Sequence, residues 1–169
     1  MSVVILIGFM GCGKTTLGRK LARALDYRFL DADDAIEAAE GMSIPEIFAQ
    51  KGESHFRQLE HQFITGLRDR QNVVVSTGGG MPCFGNNMDL LNEAGTTIYL
   101  KRSVPELVHR LVHARKQRPL IAGKNRKELV DFISELLPVR EKYYLQAAFV
   151  LERDAQTAET IRELIGGDL

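Results

Sequence analysis

Short apolar runs punctuate the chain, and the stretches between them repeat their apolar residues at helical spacing. The runs fall at 3–7, 28–31, 72–76, 97–100 and 149–152, each bounded by polar residues or glycine. They lack the in-and-out alternation of a half-exposed strand, so they read as strands of a parallel sheet buried on both faces. The intervening segments supply the helices. A helix-favouring stretch covers 16–25, and from Ser54 onward Phe56, Leu59, Phe63, Ile64 and Leu67 mark one buried stripe. Ser43-Ile44-Pro45-Glu46 and Ser103-Val104-Pro105-Glu106 are capping boxes with proline in the first turn, so each predicts a helix start. Helical periodicity returns over 127–145. Strands alternating with helices predict an α/β fold.

One segment breaks the pattern. Residues 115–127 read R-K-Q-R-P-L-I-A-G-K-N-R-K, basic and interrupted by Pro and Gly. That composition predicts a loop. It is either a solvated charged loop or, in a phosphate-binding protein, a lid over the ligand.

Composition narrows the classes. The chain has 169 residues, enough for one domain with a normal core. Its 22 Lys and Arg balance 22 Asp and Glu, which gives nucleic-acid binding little electrostatic support. No apolar run nears the roughly 20 residues of a membrane span. The start of the chain has no signal-peptide pattern. The two cysteines, Cys12 and Cys83, suggest neither a disulfide framework nor a metal cluster. A cytoplasmic location is expected, with no nucleic-acid or membrane partner and a monomeric state.

Candidate chemistry begins at residues 8–15, G-F-M-G-C-G-K-T, which fit G-x-x-x-x-G-K-[ST] at every fixed position. A strand precedes the octet and a helix follows. This arrangement turns backbone N–H groups and the helix dipole toward a phosphate. Lys14 is expected to reach the β- and γ-phosphates of a nucleotide, and the Thr15 hydroxyl to ligate magnesium. Asp31 and Asp33 follow at the end of the second strand. If the extended backbone continues, they lie on one side of it, one near the metal and one able to accept a proton from a substrate hydroxyl. Asp33 could instead cap a helix over 35–40. Arg57 sits at the edge of the buried stripe and could clamp a carboxylate, or lie at the surface. Gly78, Gly79 and Gly80 after the third strand could bring backbone N–H groups to a ligand, or form a bare turn. Arg140 is ambiguous by itself. His109 and His113 share helical spacing without the glutamate of a zinc-protease motif, and read as partly exposed helix residues.

No N/T-K-x-D guanine motif occurs. The phosphate loop, F-L-D-A-D at 29–33, Gly52-Glu53-x-x-Phe56-Arg57-x-x-Glu60, Gly78-Gly79-Gly80, Arg118-Pro119-Leu120 and Arg140-x-x-x-Tyr144 stand in that order. The ordered set resembles the shikimate kinase family, and the resemblance runs from Val3 to about Ile165. It implies a three-layer α/β/α P-loop kinase fold with a five-stranded parallel sheet of order 2-3-1-4-5. A substrate-binding subdomain is implied at about 33–60 and a lid at about 112–125. The implied reaction moves phosphate from ATP, with Mg2+, to the 3-hydroxyl of shikimate, on the route to chorismate and aromatic amino acids. Gly11, Cys12, Gly13, Lys14, Thr15 and Thr16 would hold the ATP phosphates, with Thr15 on the metal and Asp31 reaching it through water. Asp33 would act as base and, with Arg57, Gly78, Gly79, Gly80 and Arg140, bind shikimate. Lys14 and Arg118 would stabilise the transferring phosphate. The adenine contact is left open between Arg110 and Arg115. A kinase for gluconate or a nucleoside monophosphate should lack the paired arginines, and a non-catalytic nucleotide sensor should lack Asp33 or Arg118.

Overall fold

The computed structural model describes residues 3–114 and 119–166. Five strands form one sheet: β1 (Val3–Ile7), β2 (Arg28–Asp31), β3 (Val73–Ser76), β4 (Thr96–Lys101) and β5 (Phe149–Glu152). All pairings are parallel, and the spatial order is β2-β3-β1-β4-β5. Both expectations, the parallel sheet and its order, are met. β1 lies at the centre, with Ile5 opposite Val75 on one side and Thr97 on the other. Every residue of β1 and β3 is buried, as the apolar run of β1 and the three valines of β3 require.

The helices are α1 (Lys14–Leu25), α2 (Ala32–Glu40), α3 (Ile44–Thr65), α4 (Asn87–Ala94), α5 (Val104–Val112), α6 (Arg126–Tyr144) and α7 (Ala158–Gly166). The step from β1 to β2 runs one way along the sheet, and every later step runs the other way. Right-handed crossovers therefore place α1 on one face and α3 to α6 on the opposite face. The packing agrees: α1 touches α7, α3 touches α4, and α5 touches α6.

Local signals set the helix ends. Ser43 and Ser103 form the expected capping boxes with Glu46 and Glu106. Asn125 and Glu128 form a third at the start of α6, one residue before the expected helix. α3 starts at Ile44, well before Ser54, and bends at Gly52, where φ is 81° and ψ is 168°. A left-handed φ of this kind suits glycine. Leu67 is buried but lies past the end of α3.

Two expectations at the end of β2 are corrected. The extended backbone does not continue past Asp31, because α2 begins at Ala32. The cap of that helix is Asp31, not Asp33: its Oδ1 accepts from the amides of Asp33, at 3.1 Å, and Asp34, at 3.4 Å. An aspartate at the last extended position meets the free amides of the first turn, which is where a cap belongs. Asp33 is thereby carried into the first turn of α2.

Among the described residues, no helix is long and apolar enough to cross a membrane. Cys12 and Cys83 are free thiols. Arg118, together with Arg115, lies outside the described residues; of the lid expected at about 112–125, Val112 ends α5 and Pro119 opens a short 3-10 turn to Ile121.

Candidate active site

The site lies at the carboxyl ends of β1, β2 and β3, where open parallel sheets take their ligands. The loop after β1 enters α1 through Gly13, whose φ of 104° excludes most side chains. The three helices with capping boxes satisfy their first amides with a side chain, but α1 does not, and its first turn carries no acid. Its free N–H groups and positive dipole end are left for an anion. Lys14 is only 8% exposed. Its ammonium is folded into the loop, donating to the carbonyls of Gly8 at 2.7 Å and Phe9 at 3.0 Å.

Thr15 Oγ1 donates to Asp31 Oδ2 at 3.0 Å and stands 3.5 Å from Ser76 Oγ. Two hydroxyls and a carboxylate make an all-oxygen corner beside the loop, a donor set suited to a hard cation such as magnesium. No sequence motif singles out Ser76; its register opposite Asp31 brings it here. Among the described residues no group of three or more His, Cys, Asp or Glu side chains forms a metal cluster. A magnesium site completed by phosphate and water needs none.

A cavity of about 650 Å³ joins Lys14, Thr15 and Thr16 to Asp31, Asp33 and Gly79. Gly11, Gly13 and Gly78 also line it. Cys12 does not; its side chain is buried, and only its backbone belongs to the loop. Arg110 reaches from α5 and donates to the Gly11 carbonyl at 2.7 Å, tying the loop to that helix.

Arg57 and Arg140 come from distant helices and converge on the triple glycine. A Cβ on Gly80 would stand 3.1 Å from Arg57 Nη1 and 3.5 Å from Arg140 Nη2; one on Gly79 would stand 3.3 Å from Arg140 Nη1. A Cβ on Gly78 would stand 2.8 Å from Asp33 Oδ1. None of the three glycines adopts a positive φ. They are small because two guanidiniums and a carboxylate crowd them, so the segment is more than a bare turn. Tyr144 fixes it further by donating to the Gly79 carbonyl. Nor is Arg57 a surface residue. Its side chain is 19% exposed and lies with its guanidinium 3.8 Å from the Phe84 ring centre.

Glu60 is the residue whose role the sequence alone did not reveal. Its carboxylate is 1% exposed and accepts from Arg57 Nη1 at 2.7 Å. Burial pushes its acid up to about 6, against the pull of Arg57, and the nearby Asp33 charge adds to the rise. A signal for it exists: Glu60 lies four residues after Phe56 and four before Ile64, within the apolar stripe. Burial likewise pushes the Cys83 thiol up to about 11, which keeps it protonated beside Arg140.

The arrangement sets an anion cradle at one end of the cavity and two guanidiniums against the glycine segment, with Asp33 beside Gly78. Comparison with known proteins agrees. The family model for shikimate kinase matches residues 10–166. A shikimate kinase from Parabacteroides distasonis is 39% identical over 160 residues, covering 95% of this chain and 92% of its own. The crystal structure of shikimate kinase from Bacteroides thetaiotaomicron superposes with a TM-score of 0.92 at 38% identity, covering 98% of each chain. That of shikimate kinase from Acinetobacter baumannii, in complex with shikimate, gives 0.81 at 34% identity and covers 99% of this chain and 94% of its own. The match spans the phosphate loop, the glycine segment and both arginines, and the chain belongs to the shikimate kinase family.

Proposed function

We propose that this chain transfers the terminal phosphoryl group of ATP to the 3-hydroxyl of shikimate. The observation that carries the reading is the convergence of Arg57 and Arg140 on Gly80, next to Asp33 and one cavity away from the phosphate loop. Two guanidiniums at one point make a carboxylate clamp, which a kinase for an uncharged sugar does not need.

Each group has a distinct task. The loop amides of residues 11–16 and the end of α1 hold the β- and γ-phosphates. Lys14 exchanges its carbonyl partners for phosphate oxygens and follows the charge as it moves to the β–γ bridge. Thr15 and Asp31 would hold magnesium, directly and through water, and Ser76 is placed to assist. When bound, that ion would neutralise charge on the β- and γ-phosphates. Arg57 and Arg140 grip the shikimate carboxylate, and Gly79 offers its N–H. This fixes which hydroxyl faces the nucleotide. Asp33 accepts the proton of the 3-hydroxyl as the oxygen attacks, so no alkoxide has to form free in water. Arg118, on a lid over 112–125, supplies a further positive charge to the transferring group. Closure excludes water as a rival acceptor.

A coupled assay for ADP release tests the assignment, with shikimate, gluconate and nucleoside monophosphates offered in parallel. Turnover is expected with shikimate alone. Turnover with gluconate or a nucleotide in its place would overturn the substrate assignment.

A further inference from the structure

His109 and His113 play no part in the reaction above. They stand four apart on α5, so one helical turn brings them to the same face. Both are exposed. Their ring centres lie 4.6 Å apart, with planes tilted by 47°. Nδ1 of His113 is 2.7 Å from the backbone carbonyl of His109. Only an N–H can make that contact, so Nδ1 is the donor nitrogen and, in the neutral ring, Nε2 is the nitrogen left for a ligand. An imidazole that gives one N–H to a carbonyl is oriented, and made more basic, for coordination through the other nitrogen.

The geometry points to a site for a late first-row divalent cation, such as nickel, copper or zinc, chelated by His109 and His113. These ions take imidazole nitrogen readily, whereas magnesium prefers oxygen. Two nitrogens held tetrahedrally by one zinc ion at about 2.0 Å are about 3.3 Å apart. A ring-centre separation of 4.6 Å is compatible with that span. The nearest cation on the helix, Arg110, is engaged by the Gly11 carbonyl at 2.7 Å. Asp31, Asp33 and Asp34 share the cavity with Lys14, Arg19 and Arg110, so the formal charges of its lining balance and set up no net repulsion against a further cation. The site is separate from the oxygen corner at Thr15 and stands whether or not shikimate is the acceptor. It lines the cavity that holds Lys14. A cation bound there alters the charge that an entering nucleotide meets, and so couples metal availability to nucleotide binding.

Calorimetric titration of NiCl2 or ZnCl2 into nucleotide-free protein tests the site. Millimolar Mg2+ in the buffer provides the oxygen donors with a hard cation. One ion should bind per chain, and both His109→Gln and His113→Gln should weaken it by about tenfold or more. Absence of heat, or unchanged affinity in both variants, overturns the proposal. A second measurement needs no variant. The chain has four histidines, and His55 lies 3.3 Å from Glu40 while His61 lies 3.1 Å from Asn87. On stepwise addition of Zn2+, the imidazole proton resonances of His109 and His113 should shift at the lowest metal concentrations. If His55 or His61 shifts at the same or lower concentrations, the metal binds elsewhere and the proposal is likewise overturned.

Discussion

Arg57 and Glu60 face each other across less than one turn of α3, 2.7 Å apart, with the carboxylate buried and the guanidinium partly open. The pair serves two ends. In the proposed function Glu60 aims the arginine at shikimate, and the arginine keeps Glu60 from being a lone buried charge. Arg57→Ala should therefore raise KM for shikimate by about 30-fold or more, as lost charge-assisted bonds of about 2 kcal/mol imply. KM for ATP should stay unchanged. The same variant should lose about 3 kcal/mol of stability in denaturant titration, because Glu60 is stranded. Arg57→Ala with Glu60→Met should regain most of that stability and none of the shikimate affinity. Equal losses for both ligands would remove Arg57 from the clamp.

The acid of Glu60 lies near 6 in the folded chain, against an ordinary value of 4.5. The folded state therefore binds this proton more tightly than the unfolded state does. The group favours folding fully below about 4.5, and this advantage is lost as pH rises through 6. A shift of that size corresponds to about 2 kcal/mol. Glu60→Gln has no such titration. Its stability relative to the parent should climb by about 2 kcal/mol between pH 4.5 and 7, read by urea unfolding. A difference that stays flat across that range would contradict the burial argument.

Gly78→Ala probes the approach of Asp33. The added methyl would stand 2.8 Å from Asp33 Oδ1, so the carboxylate must shift. We expect kcat/KM for shikimate to drop by about 10- to 100-fold, the usual cost of a displacement near 1 Å. The melting temperature should hardly change, since the obstacle is the free end of a side chain. Gly66→Ala serves as a control, because its Cβ would meet nothing closer than 3.5 Å. Full activity in Gly78→Ala would show that Asp33 tolerates the shift.

Asp33→Asn keeps the shape of the side chain and removes the proposed base. Turnover should fall by about 10²- to 10⁴-fold, while calorimetry finds ATP binding intact. Loss of ATP binding in step with turnover would assign Asp33 to the nucleotide.

The fold is legible in the sequence because its signals are local. The β1 run and the glycine octet lie in one short stretch, and the boxes at Ser43 and Ser103 state their helix starts outright. The cavity is legible wherever motif and residue type coincide, as with Lys14, Thr15, Gly78 and Gly79, which all line it. What escapes a linear reading depends on three dimensions. The run at 28–31 gives the end of β2, but its spacing does not show that Asp31 then caps α2 and carries Asp33 into a helical turn. Glu60 stands inside a recognisable motif without an evident task, since a carboxylate looks like surface until its place between Phe56 and Ile64 is weighed. Ser76 joins the oxygen corner only through strand register. The bend at Gly52 divides α3 into two arms, of which the capping box announces the first and the apolar stripe the second.

The ammonium of Lys14 rests against two carbonyls of its own loop. It has thus been stripped of most bulk hydration by folding itself. In the proposed reaction the oxygens of a triphosphate would replace those of the loop, and little solvent would have to be rearranged at the moment of encounter. The desolvation was met once, during folding, and is not repeated with every turnover. A cation waving in solvent would face it anew each cycle.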